Sequence, residues 1–361
     1  MKRLWTYVKR VHISIWTLIL ALVVARLLLP IGAKYAINWY LENKLTSYKG
    51  HIDDFDLALY RGAYQIEGLK IWKRTKGSKE PFVDVRKIDL SLAWRALFKG
   101  KFLGDLKIDQ AKLDFVDSEK KEKKQVGAEE DWKTVVGKLV PIELESLQLT
   151  NSEVHLINRD FKVPVDVVMD RIDVRAKNIK NTDDNKDLLP STVDASARLQ
   201  KSGQIEADAK INLLSRIPAF QAKAKLDELD ITSLNDFFLG YGPFTFHKGR
   251  LSIYAEVSTK ENRVKGYVKP FFEHLEVMGD KEHFDSTKQF FNEAGLALAN
   301  LILRSSKKKT VATKIEFEGA SNAPDIDKWD AFWGAMKNGF VEAMKKQLDN
   351  DISIKDVPKK N

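Results

Sequence analysis

The pattern of hydrophobic and polar positions changes period along this chain, and each change marks a different kind of element. Residues 11–29 (VHISIWTLILALVVARLLL) are apolar on every helical face. As helix, at about 1.5 Å per residue, they reach about 28 Å, close to the hydrocarbon thickness of a bilayer. His12 and Arg26 lie near the ends, where polar tips reach the headgroups. Trp5, Tyr7 and Trp16 lie toward one end, and Tyr35, Trp39 and Tyr40 toward the other, as interfacial aromatics do. A cleaved secretory signal has a shorter apolar core and a small-residue cleavage site. Here Pro30-Ile31-Gly32-Ala33-Lys34 follows, so the pattern predicts an uncleaved transmembrane anchor. Residues 30–48 are expected to continue it as a juxtamembrane helix at the membrane surface. Lys2, Arg3, Lys9 and Arg10 set the orientation: the 1–10 tail stays cytoplasmic and the bulk of the chain faces the far side.

Beyond Gly50 the period becomes two. Phe55, Leu57 and Leu59 alternate with Asp54, Asp56 and Ala58, and Arg61-Gly62-Ala63 turns the chain. Tyr64, Ile66, Leu69 and Ile71 follow, with Gly68 marking a bulge, and residues 83–93 form a further strand. LKIDQAKLDF (106–115) then superposes on LQLTNSEVHL (147–156) at an offset of 41 residues. Each copy reads as two strands joined by a polar kink, Asp109-Gln110 and Thr150-Asn151, the mark of stacked supersecondary units. Between the copies, residues 117–131 (DSEKKEKKQVGAEED) carry mixed charge without apolar period and are expected to be a solvated, flexible loop.

A long hairpin follows. Val193, Ala195, Ala197 and Leu199 face one way, and Ile205, Ala207, Ala209 and Ile211 answer them across Lys201-Ser202-Gly203-Gln204. Phe220, Ala222, Ala224 and Leu226 belong to a further strand, and Leu251, Ile253, Ala255 and Val257 pair with residues 264–268. Helical spacing returns at 284–303 and again at 325–348, where Trp329, Trp333, Met336 and Phe340 form a seam suited to a partner protein. One strand (Val311, Thr313, Ile315, Phe317) separates the two helices, and residues 355–361 are expected to be a disordered tail.

Net charge changes little in this picture. Of the formal +9, six charges lie within the first 34 residues, which contain no acid, so the folded part offers no clustered basic surface for nucleic acid. There are no cysteines among the 361 residues, which removes disulfides and thiolate metal sites. The six histidines are scattered without metal-ligand spacing, and no nucleophile elbow or phosphate loop is present. No catalytic residue, metal or cofactor is expected, and the chain reads as a non-enzyme.

What remains is a sheet that is apolar on one face and charged on the other, and the apolar face must be covered. Either the sheet curls around its own side chains, or it leaves a groove for foreign apolar chains. The alanines of the middle strands leave volume unfilled and favour the groove. Its candidate floor is Val193, Ala195, Ala197, Leu199, Ile205, Ala207, Ala209, Ile211, Leu251, Ile253, Ala255 and Val257.

Five stretches together resemble the AsmA-like superfamily, in particular its bacterial inner-membrane-anchored periplasmic branch known only as a domain of unknown function. They are GHIDDFDLALYRGAYQIEGLKIWK (50–73), the two strand-kink-strand units, GRLSIYAEVSTKENRVKGYVKPFFEHLEV (249–277) and NGFVEAMKKQLDNDISI (338–354). The resemblance covers nearly the whole chain. It implies a mainly β fold with α (α+β): an N-terminal transmembrane helix, then an elongated, curved antiparallel β-sheet groove over 50–354, with two C-terminal helices. It also implies anchoring in the bacterial inner membrane, a periplasmic groove for phospholipid acyl chains, and a part in outer-membrane lipid homeostasis. An envelope protein or a second copy of the chain could act as partner. Two departures stand out. The chain is much shorter than members that bridge both membranes, and it carries the charged insertion at 117–131. The rival expectation is a membrane-tethered structural or assembly factor with a filled β core.

Overall fold

The structure, a computed structural model, describes residues 2–58, 62–75, 80–92, 103–120, 122–125, 143–179, 189–212, 219–241, 245–260, 263–278, 310–312 and 314–320. A single helix, α1 (Lys2–Asn43), leads into one large curved sheet, so the protein is mainly β with a minor helical part. The helices expected at 284–303 and 325–348, with Trp329, Trp333, Met336 and Phe340, lie outside the described residues, as does the 355–361 tail. Among the described residues no helix is long and apolar enough to cross a membrane. The side chains of residues 2–15, 18–22 and 25 are not among them, so most of the expected span falls outside the description.

The strands are β1 (Tyr48–His51), β2 (Asp54–Ala58), β3 (Ala63–Lys73), β4 (Val83–Leu92), β5 (Leu103–Val116), β6 (Glu143–Asn158) and β7 (Val165–Ile179). They continue as β8 (Ser191–Leu199), β9 (Gly203–Asn212), β10 (Ala219–Asp230), β11 (Thr245–Lys260), β12 (Arg263–Met278), β13 (Thr310–Ala312) and β14 (Ile315–Ala320). A 3-10 turn (Ile231–Leu234) and the short helix α2 (Asn235–Tyr241) interrupt the series after β10. The 14 strands form one sheet in the order β1-β3-β4-β5-β6-β7-β8-β9-β10-β11-β12-β13, with β2 on β3 and β14 on β12.

Several expectations need correction. Residues 44–48 are not helical: α1 ends at Asn43, and Tyr48, wholly buried, pairs with Lys73 in β1. The strand expected over 311–317 is two, β13 and β14, both laid on β12. The sheet is not purely antiparallel, because β5 and β6 run parallel. Each expected strand-kink-strand unit is one long strand, and the kink is a single residue in the left-handed region, Gln110 at φ 52° and Asn151 at φ 49°.

That parallel pair gives the repeat its physical meaning. Leu106 lies opposite Leu147, Ile108 opposite Leu149, Leu113 opposite Val154 and Phe115 opposite Leu156, so equivalent residues of the two copies are neighbours in space. Beside the kink the Ala111 N–H donates to the Ser152 hydroxyl at 3.0 Å, and Thr150 Oγ1 donates to Asp109 at 2.8 Å. The parallel crossover between them needs a dozen or more residues. Part of it is ordered against the sheet: Gln125 pairs with Val116, is buried, and donates from its amide to the Asp114 carbonyl at 2.9 Å. The expected solvated loop therefore begins as a folded hairpin.

Asp114 beneath that hairpin is 2% exposed, and its Oδ1 has no hydrogen-bond partner. Burial raises its carboxyl above the ordinary range, against the pull of Lys112 at 3.5 Å. A raised carboxyl makes the native state bind protons more tightly than the unfolded chain. Stability therefore falls as pH rises from the ordinary carboxylate value to the raised one, and above that the deficit is constant. Asp114→Asn is expected to stabilise the protein by about 1 kcal/mol at pH 7 and to lose that advantage near pH 4, read from denaturant unfolding at the two pH values. A variant less stable than the parent at pH 7 would show that the Lys112 attraction outweighs the burial cost.

Candidate functional site: an apolar floor across the sheet

Strand register aligns the alternate residues of every strand into transverse rows. One row runs Phe55, Ile66, Ile88, Ile108, Leu149, Val174, Ala195, Ala207, Ala224, Ala255, Val268 and Ile315, from β2 to β14, with no polar member. A second runs Leu57, Tyr64, Leu90, Leu106, Leu147, Ala176, Val193, Ala209, Ala222, Val257, Gly266 and Phe317. Opposed residues project to the same side of a sheet, so both rows lie on one face. Side-chain size falls along them, from aromatic and branched residues on β2–β6 to alanine on β8–β10.

The two halves of this face differ in cover. On β3–β7 it is packed in part: Ile66, Leu90, Leu106 and Ala176 are buried, the last three clustered with Leu144 and Ile179, while Ile88, Ile108, Leu149 and Val174 are half-buried. A neighbouring cluster joins Leu41 and Leu45 to Tyr48, Ile66, Ile71, Phe82 and Val85. On β8–β11 the rows are only half-buried, and so are Val193, Ala195, Ala197, Ala207, Ala209, Ile211, Ala255 and Val257. Val193 packs against the Leu90–Leu106 cluster, and the other seven candidates form one half-buried patch.

The other four belong to a plug. Leu251 is a buried member of a cluster with Leu226, Leu229, Ile231, Phe246, Phe272 and Leu275, and Leu199, Ile205 and Ile253 pack against it. The 3-10 turn and α2 supply its lid through Ile231, Leu234 and Phe238. Asp230 caps the turn by accepting from the Thr232 N–H at 3.0 Å, and Asn235 clasps Phe246 with two hydrogen bonds of 2.8 Å. Sequence reading passed over this plug, although Asp230-Ile231-Thr232 carries the signature of a capped turn. It also stopped short of Val174, Ala176, Ala222 and Ala224, whose place in the rows depends on register across strands.

The opposite face is charged over β7–β10, where Asp170 holds Arg198 through two hydrogen bonds of 2.7 and 2.8 Å. That pairing keeps the Asp170 carboxyl below the usual carboxylate range. On β11–β12 this face departs from the expected solvated pattern: Tyr254, Glu256, Ser258, Tyr267 and Lys269 are all buried. Tyr254 donates to Asp227 at 2.7 Å, and burial with that carboxylate raises its phenol. A polar depression of about 400 Å³ lies along the crease of left-handed residues, lined among others by Gln110, Asn151, Asp170 and Arg198. Its Arg198 is already neutralised by Asp170. Among the described residues no group of three or more His, Cys, Asp or Glu could hold a metal ion. What the apolar patch offers is burial of another molecule's apolar surface. No family model matches the sequence, and no curated protein matches it.

Proposed function

We propose that this is a membrane-anchored protein of the AsmA-like kind, held in a bacterial inner membrane by residues 11–29 with its sheet in the periplasm. Its task is to shield or transfer lipid acyl chains on the open apolar floor of β8–β11, in support of outer-membrane lipid homeostasis. The observation that carries this reading is the half-buried alanine floor: Ala195, Ala207, Ala224 and Ala255 stand in one row with their apolar face incompletely covered. Burial is worth about 0.8 kcal/mol per methylene, so an acyl chain is held there by contact area without a dedicated polar group. The orientation rests on Lys2, Arg3, Lys9 and Arg10.

The packed half of the face, Leu90 and Leu106 above all, favours a second reading, a tethered envelope factor filled by its own side chains. Native mass spectrometry of the detergent-extracted full chain, with a photoreactive residue at Ala207, Ala255 or Asp208, separates the two. The expected result is co-purified phospholipid that crosslinks at Ala207 and Ala255 and spares Asp208 on the opposite face. Absence of bound lipid together with no crosslink at either alanine leaves the structural reading in possession.

A further inference from the structure

Among the described residues, large apolar side chains that are exposed concentrate on α1. Nine of the eleven are Trp16, Val23, Val24, Leu27, Leu28, Leu29, Ile31, Tyr35 and Trp39. Through Leu29 they point all round the helix. Beyond it Ile31, Tyr35 and Trp39 keep to one face, which continues that of Val24 and Leu28: at 3.6 residues per turn the five fall within an arc of about 80°. Ile31 is 67%, Tyr35 74% and Trp39 49% exposed.

The other side of α1 is docked, and the docking fixes a direction. Leu41 packs on Gly50, Asn38 exchanges two hydrogen bonds with the Ile52 backbone (2.7 and 3.2 Å), Lys34 donates to the Asp53 carbonyl, and Arg26 pairs with Asp56 at 2.9 Å. As helix numbers fall, strand numbers rise. β1 and β2 therefore run back along α1 toward its N-terminal half, and the β2–β3 end of the sheet lies beside Arg26.

We propose that the outer face of α1 from Val24 to Trp39 is a bilayer-contact surface, and that it seats the β2–β3 end of the sheet at the boundary between the headgroups and the hydrocarbon. The proposal rests on the anchor reading of residues 11–29 and extends it. With 11–29 filling the hydrocarbon, the helix continues about 15 Å past Leu29 to Trp39, through one headgroup layer to its outer rim. Tyr35, about 9 Å past Leu29, then stands at the outer edge of the headgroups, where amphipathic rings are favoured, and Trp39 lies beyond it at the rim. Arg26 lies about 4.5 Å inside the hydrocarbon boundary at Leu29, a depth at which charged groups pair with one another, and Asp56 supplies the partner.

The chain has no cysteine, so single-cysteine labelling needs no background removal. Ile31→Cys, Tyr35→Cys, Trp39→Cys, Trp16→Cys and Lys201→Cys variants of the full chain would carry an environment-sensitive nitrobenzoxadiazole label. All five side chains are exposed, so the label disturbs no packing. In vesicles of phosphatidylethanolamine and phosphatidylglycerol, labels at 31, 35 and 39 are expected to shift to the blue. Quenching by doxyl lipids is expected to be several-fold stronger than at Lys201, and to weaken from 31 to 39. A lipid-buried label at Trp16 with water-like labels at 31, 35 and 39 overturns the proposal and leaves the anchor standing. Water-like labels at all four helix positions overturn both.

Discussion

Leu41→Ala is expected to cost about 2–5 kcal/mol of stability, because the side chain it truncates is wholly enclosed. Leu41 is where α1 meets the sheet. It sits against Gly50, where an added Cβ would lie 3.3 Å from the Leu41 Cβ, and it shares a cluster with Leu45, Tyr48, Ile71 and Phe82. Tyr48 and Phe82 meet there with ring centroids 5.3 Å apart, so neighbouring atoms cannot simply collapse into the space left by three carbons. Tyr35→Ala, on the exposed side of the same helix, removes more atoms yet is expected to stay within about 0.5 kcal/mol in detergent solution. The comparison is made by denaturant unfolding of the two variants, with hydrogen exchange at β1–β3 as a local readout. Equal stabilities would mean that α1 is carried by the sheet without being part of its core.

The sheet was legible in the sequence wherever a strand has one covered face. Val193 to Leu199 and Ile205 to Ile211 alternate cleanly, and the structure pairs Ala195 with Ala207 and Val193 with Ala209 across a hairpin. The 41-residue offset of the repeat was legible too, but its consequence was not: nothing local tells that copies pair in parallel, since a crossover and a hairpin leave the same period-two signal. A left-handed residue inside a strand reads as an interruption, which is why Gln110 and Asn151 suggested two strands where there is one. The plug was missed for another reason. Ile231, Leu234 and Phe238 span too few turns to show helical period, and their burial depends on Phe246 and Phe272 from later strands. On β11–β12 the alternation of charged and apolar positions implied one wet face, yet Glu256 and Lys269 are buried, because burial of the second face is a tertiary matter.

Ala207→Trp combined with Ala224→Trp is expected to strip lipid from the protein while leaving it folded. The two alanines are opposed on β9 and β10, half-buried, and flanked by Ala195 and Ala255 in the same row. Indole rings added there occupy the floor that an acyl chain needs. If each ring displaces about two methylenes from contact, binding loses about 3 kcal/mol, or about a hundredfold in affinity. Overpacking is not the expected cost, because the face is open above these positions, and opposed aromatics on neighbouring strands contribute about 0.2–1 kcal/mol in favour of the sheet. Asp208→Trp, one residue away on the exposed face, adds the same bulk to the same strand and is expected to leave lipid content unchanged. Lipid counted per protein by mass spectrometry, beside a thermal unfolding curve, reads both halves of the claim. A double variant that stays folded and retains its lipid removes the floor as the binding surface. A double variant that unfolds instead says the floor is packed, since only a filled layer has no room for two rings, and the chain is then a tethered β core whose alanines serve close packing rather than cargo.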